Sequence, residues 1–157
     1  MTAPARRWER HADSLLGAAA STILMAMMLL TVVDVVARYV FNRPLAGAFE
    51  VTELMLLVLI FAGLPLVTYA DEHAVMDFID RLLSPRARRL LQRGVQLASA
   101  AVMFLLTWLI WLKADRIWAY RDATDVLRIL YGPFVYFMAV TIGLAGLIHL
   151  YKALARR

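Results

Sequence analysis

The sequence contains no cysteine, which excludes disulfides, thiolate nucleophiles, iron–sulfur clusters and cysteine-type zinc sites. Charged residues are also scarce, at 18% against roughly 25% in an average soluble domain. Hydrophobic residues instead make up 62% of the 157-residue chain, and the mean hydropathy is +0.68. This composition indicates a membrane protein, and no stretch between its apolar segments has the length of a soluble domain.

Four apolar stretches have the length that a helix needs to cross the ~30 Å hydrocarbon core of a bilayer, about 20 residues. They predict transmembrane helices at residues 15–37, 51–70, 94–112 and 129–150, within a single membrane domain covering residues 1–157. Basic residues precede the first stretch, as in a signal peptide, but the stretch is too long for a signal core of about 7–15 residues. We therefore expect an all-α integral membrane protein that retains its first span.

The basic residues are distributed unequally between the two sides of a four-span protein. Eleven of the 17 lysines and arginines lie in the N-terminal tail, the segment 71–93 and the C-terminal tail, which share one side. The positive-inside rule therefore predicts that both termini are cytoplasmic. The net charge of +5 would suggest nucleic acid in a soluble protein, but basic residues beside apolar spans have anionic lipids as nearer partners. We expect no nucleic-acid binding.

The segment between the second and third spans has a helical pattern of its own. Its apolar residues recur every three or four positions, which predicts a short amphipathic helix at residues 74–83 on the cytoplasmic membrane surface. Ser84 and Pro85 then have the residue types of an N-cap and a first helical position, so a new helix should begin there and lead into the third span. Residues 113–128, of mixed charge, predict a helical extension of that span or, alternatively, a contact surface for another protein.

Ionisable residues are concentrated between the first two spans. Asp34 and Arg38 are four residues apart with the acid first, the favourable order for a helical ion pair. Glu50 and Glu53 open the second span, where the helix dipole favours negative charge, and we expect Arg38 to reach one of them. These groups either hold a hairpin together or, in the case of Asp34 or Glu53, carry protons or ions. The hairpin is favoured because no charged residue lies near the middle of any span.

The remaining candidate groups predict no catalytic residues and no metal site. His73 and Asp77 are four residues apart, but two ligands alone make a weak metal site. Small residues do recur at four-residue spacing in three spans, where they permit close helix approach and indicate a partner subunit. These small pairs are Gly17 and Ser21, Gly94 and Ala98, and Ala139 and Gly143.

Three segments, RYVFNRPLAGAFEVTELMLL, GLPLVTY and HAVMDFIDRL, resemble the small membrane subunit of tripartite ATP-independent periplasmic (TRAP) transporters, the DctQ-type family. That family shows Arg-Tyr-x-Phe-Asn after the first span, one or two acids at the start of the second, and His-x-x-x-Asp after it. The matching residues here are Arg38, Tyr39, Phe41, Asn42, Glu50, Glu53, His73 and Asp77. The chain departs from the pattern at Phe49, where many members have tryptophan, and at Ala74, where isoleucine or valine is usual.

The resemblance implies an accessory four-helix subunit in the bacterial inner membrane, with no substrate-binding residues and no cofactor of its own. Its partners would be a large membrane permease subunit, which holds the substrate and sodium sites, and a periplasmic solute-binding protein that delivers organic anions such as carboxylates. The motif residues, together with Asp34, would hold the hairpin or a subunit interface. Arg43, Arg116 and Arg121 would face the binding protein.

Two other classes of function stay open at this point. A stand-alone four-helix exporter driven by protons would use Glu53 or Asp34. A haem-bearing membrane anchor of a redox enzyme would depend on His149 and His11.

Overall fold

The structure is a computed structural model that describes residues 7–70 and 85–155 of the chain. These residues form four α-helices and no strand: α1 Arg7–Val40, α2 Ala48–Ala70, α3 Pro85–Tyr120 and α4 Gly132–Ala155. Each helix contains a segment long and apolar enough to cross a bilayer. The all-helical, four-span fold is therefore confirmed, whereas the predicted amphipathic helix at residues 74–83 lies outside the described residues.

The helix ends follow local signals in the sequence. Helix α3 begins at Pro85, as the capping pattern predicted, because proline suits the first helical turn, where its missing N–H is not needed. The same helix continues past its apolar stretch to Tyr120, so the predicted extension into residues 113–128 is confirmed as far as that residue. Helix α4 begins at Gly132, whereas the predicted fourth span begins at Ile129.

The chain divides into two compact units. The first comprises Met1–Ile60 together with Ala123–Ile129, and the second comprises Phe61–Asp122 together with Leu130–Arg157. The prediction of one membrane domain over residues 1–157 stays a prediction.

In the second unit, helix packing is concentrated between α3 and α4. Ala139 of α4 is fully buried, and a Cβ added at Gly143 would lie 3.4 Å from Cγ2 of Thr107 in α3. A Cβ added at Gly146 would lie 3.2 Å from Cβ of Met103. Small residues stabilise helix pairs in lipid by letting the backbones approach closely. The small pair Ala139 and Gly143 therefore lies on the buried side of α4.

In the first unit, the span of α1 has no buried face, in contrast to α4. None of its residues from Gly17 to Val40 is buried. A Cβ added at Gly17 would have no heavy atom within 4 Å. The small pair Gly17 and Ser21 thus has no helix packed against it in the described part of the chain.

Candidate functional site

The two loops that join α1 to α2 (residues 41–47, the first loop) and α3 to α4 (residues 121–131, the third loop) contain most of the unusual backbone conformations. Positive φ angles occur at Asn42 (52°), Gly47 (82°), Arg121 (54°) and Arg128 (57°). Such angles are unfavourable for residues with a Cβ, although asparagine tolerates them better than most. Each loop therefore adopts a defined turn conformation. The side chains that hold the loops in place are candidates for function.

Asp34 holds the first loop against the end of α1. Its Oδ1 accepts a hydrogen bond from the backbone N–H of Leu45 (2.9 Å), and its Oδ2 accepts one from Nη2 of Arg38 (2.7 Å). The predicted pair of Asp34 and Arg38 is therefore confirmed. Both carboxylate oxygens bind groups of the hairpin, so Asp34 links helix and loop.

Glu50 holds the third loop. Its Oε1 accepts a hydrogen bond from the N–H of Val126 (2.7 Å), and its Oε2 accepts one from the N–H of Leu127 (2.9 Å). We call this arrangement the Glu50 clasp. It corrects the expectation that Arg38 reaches Glu50 or Glu53. The ion pair of Arg38 in the described structure is with Asp34, one turn away on the same helix, and the Glu50 carboxylate is engaged by backbone amides.

The third loop is also braced from within. Thr124 is 1% exposed, and its N–H donates to the carbonyl of Ile129 (2.9 Å). In return, the N–H of Ile129 donates to Oγ1 of Thr124 (3.0 Å). The two amides that Glu50 binds lie between these residues, so the loop presents them in a fixed geometry.

Gly47 leaves the space that the Glu50 clasp needs. It precedes α2 with a φ of +82°, and any Cβ at this position would overlap the side chain of Leu127. Glycine is required on both counts, since it adopts this φ without a steric cost and leaves space for Leu127. The turn predicted between the first two spans therefore also forms one side of the contact with the third loop.

The other predicted site residues do not join these contacts. Tyr39, Asn42, Arg43 and Glu53 are exposed, as are Arg116 and Arg121 at the end of α3. The proposed interface and docking roles of all these residues stay predictions. His73 and Asp77 lie outside the described residues.

Two polar contacts near the other end of the second unit were not predicted. Nδ1 of His149 lies 2.6 Å from Oε1 of Gln96, which joins α4 to α3. Nζ of Lys152, a residue only 7% exposed, donates to the backbone carbonyl of Thr68 (2.5 Å). The last carbonyls of a helix have no partner within it, and a cation there also complements the helix dipole. Lys152 therefore stabilises the C-terminal end of α2.

Among the side chains that the structure describes, no group of three or more His, Asp or Glu residues is placed to hold a metal. No buried nitrogen or oxygen of these described side chains lacks a hydrogen-bond partner. Asp34 accepts from a backbone amide and from the Arg38 side chain, and Glu50 accepts from two backbone amides, so these two acids act as braces.

Comparison with known proteins identifies the family. Residues 27–157 match the family described as tripartite ATP-independent periplasmic transporters, DctQ component. No curated protein and no solved structure matches the chain. The family match covers most of the sequence and includes both braced loops, and it confirms the resemblance noted from the motif residues. The chain therefore belongs to the DctQ family, the small permease component of TRAP transporters, and is a multi-pass membrane protein.

Proposed function

We propose that this chain is an accessory subunit that enlarges the fixed scaffold against which a large permease subunit moves its substrate. The large subunit would bind sodium and an organic anion such as a carboxylate, and a periplasmic solute-binding protein would deliver that anion. The chain itself would bind no cofactor and no substrate. Its termini would lie in the cytoplasm of a bacterium and its first and third loops in the periplasm, with anionic lipids around its basic residues.

The observation that carries this proposal is how the acids near the loops are used. A proton or ion carrier needs a carboxylate that can exchange its ligand, whereas Asp34 accepts from Leu45 and Arg38, and Glu50 accepts from two amides of the third loop. Glu53 is exposed in the second turn of α2, near the end of its apolar span rather than at the middle. These contacts support a scaffold over a stand-alone exporter.

Transport by purified components tests the proposal. We expect sodium-driven uptake in liposomes only when this chain, its large subunit and the solute-binding protein are all present. This chain should also co-purify with the large subunit. Proton-driven flux through liposomes that contain this chain alone, abolished by Glu53→Gln, would establish the exporter instead.

The absence of native cysteine allows a direct test of orientation. A single cysteine introduced by Asp125→Cys, in the third loop, should react with a membrane-impermeant maleimide added to the periplasmic side of intact cells. A cysteine introduced by Arg157→Cys should react only after the membrane is opened. The reverse pattern would place both termini in the periplasm.

A further inference from the structure

A cavity of about 180 Å³ lies where α3 ends and α4 begins, and we call it the α3–α4 cavity. Its walls are mainly apolar, and its two charged residues, Arg121 and Asp122, are adjacent in the sequence. The lining residues are Ile117, Trp118, Arg121, Asp122, Leu130 and Gly132. All six belong to the second unit, so the cavity is formed within one compact body.

The aromatic wall of the cavity is held in place. A Cβ at Gly132 would lie 2.6 Å from Cε3 of Trp118, so the indole packs directly on the start of α4. Trp118 also meets Tyr136 edge-on, with ring centroids 6.4 Å apart. The hydroxyl of Tyr136 in turn donates to Oδ1 of Asp115 (2.5 Å). A preformed wall of this kind loses little freedom when a partner group enters the cavity.

Arg121 is positioned at the cavity by the turn that ends α3. Its N–H donates to the carbonyl of Trp118 (3.2 Å), and the N–H of Asp122 donates to that of Ile117 (3.1 Å). This is the Schellman arrangement, in which glycine usually occupies the left-handed position that Arg121 holds here, with a φ of +54°. The Arg121 side chain is exposed and forms no ion pair with any residue that the structure describes. What distinguishes Arg121 from Arg128, the other arginine with a positive φ in this loop, is its place at the rim of the cavity.

The depth of the cavity indicates an occupant from the aqueous phase. Arg93 and Lys113 of α3 are separated by about 30 Å at 1.5 Å per residue, which equals the thickness of the hydrocarbon core. Arg121 lies about 12 Å beyond Lys113, whereas each headgroup layer is only about 5–8 Å thick. Arg121 and Asp122 at the rim lie past the apolar span of α3, and Gly132 is the first residue of the span of α4, so the cavity opens at the membrane surface.

The size and charge of the cavity further limit which kind of group can occupy it. Ligand pockets for small molecules usually have volumes of about 300–1,000 Å³, so this cavity is suited to a single side chain. Guanidinium groups pair preferentially with carboxylates and phosphates, and a carboxylate is the one of these that an unmodified protein surface offers. Asp122, at the same rim, would accept a neighbouring N–H and disfavour a second acid.

We propose that the α3–α4 cavity receives an apolar side chain of the solute-binding protein, with a carboxylate next to that side chain pairing with Arg121. The proposal rests on the proposed function, because it needs the third loop to face the periplasm. It adds a specific anchor to the general expectation that exposed arginines meet the binding protein. Anchoring side chains that enter preformed pockets contribute most of the affinity in many interfaces.

The test measures binding of the purified solute-binding protein to the complex of this chain and the large subunit in lipid nanodiscs. Arg121→Gly removes the guanidinium and keeps the left-handed turn, and Arg128→Gly makes the same change at the other arginine with positive φ in the third loop. Leu130→Trp fills the cavity, and Val126→Trp adds the same bulk at an exposed position outside it.

We expect Arg121→Gly to weaken binding about threefold to fivefold and to reduce its salt dependence, since the guanidinium pairs at an exposed rim. Leu130→Trp should weaken binding about tenfold or more because it excludes the anchor. Arg128→Gly and Val126→Trp should bind like wild type.

Equal affinities for Arg121→Gly and Arg128→Gly, or wild-type affinity for Leu130→Trp, would overturn the inference and leave the proposed function standing. If Leu130→Trp instead releases a phospholipid that co-purifies with wild type and leaves protein binding unchanged, the occupant is a lipid and the inference is wrong. If the wild-type complex does not bind the solute-binding protein, or does not assemble, the proposed function fails with it.

Discussion

The contact between α3 and α4 and the surface of α1 use the same kind of residue in opposite ways. On α4, small residues such as Ala139 and Gly146 are buried or packed against α3, and nine of the 24 residues of the helix are buried. On α1 none of the span is buried, although Gly17 and Ser21 have the same spacing. Small residues contribute in lipid only where another backbone comes close. The difference separates side chains that stabilise this chain from those left open for lipid or a partner.

The largest effect should come from enlarging a glycine in the packed pair. Gly146→Leu would force a side chain into space next to Met103 and Phe104, and overpacking of this kind costs about 1–3 kcal/mol. We expect a marked fall in the melting temperature of the detergent-solubilised chain. Gly94→Leu in α3 is the control, because nothing lies within 4 Å of a Cβ there. Similar losses for both variants would mean that α3 and α4 are not the main packed pair.

Glu50 and Glu53 differ in a similar way: Glu50 binds the third loop in the Glu50 clasp, whereas Glu53 is exposed. Glu50→Gln should release the third loop, since an amide group has one acceptor oxygen where two N–H groups need acceptors. We expect hydrogen exchange at the amides of Val126 and Leu127 to become at least about tenfold faster. Glu53→Gln, one turn away and exposed, should leave those rates unchanged. If hydrogen exchange at these amides is unchanged in Glu50→Gln, the Glu50 carboxylate does not hold the third loop.

How far these contacts were predictable depends on sequence separation. The start of α3 at Pro85, the pair of Asp34 and Arg38 and the turn near Gly47 all followed from residues a few positions apart. Glu50 binds amides 76 and 77 residues away, and Lys152 binds a carbonyl 84 residues away. Nothing in the local pattern specifies such partners. An acid at the start of a helix is already accounted for by its favourable interaction with the helix dipole, so the sequence provides no reason to expect a distant partner. The expected contact of Arg38 with a glutamate was wrong for this reason.

A smaller effect is expected at the first loop. Gly47→Ala would place a Cβ in a left-handed conformation, at a cost of about 1–2 kcal/mol, and would also displace Leu127 from its position beside the clasp. Gly63→Ala, inside α2 with open space around it, should instead stabilise the helix by about 0.5–1 kcal/mol. Thermal unfolding in one detergent compares the two variants directly. Opposite signs are expected, and equal changes would show that the backbone at Gly47 adapts.

The smallest effect separates the two arginines of the first hairpin. Arg38 donates to Asp34, whereas Arg43 contributes only its backbone N–H, to the carbonyl of Ala37 (3.1 Å). The side chain of Arg38 is 58% exposed, so its ion pair adds little to the stability of the isolated chain. It does orient the carboxylate that binds Leu45, and the loop would lose that brace at a subunit interface. We therefore expect Arg38→Ala to lower the yield of the complex with the large subunit more than Arg43→Ala does, with both chains equally stable alone. Equal yields on co-purification would show that the pair of Asp34 and Arg38 serves only α1, and that the first loop forms without it.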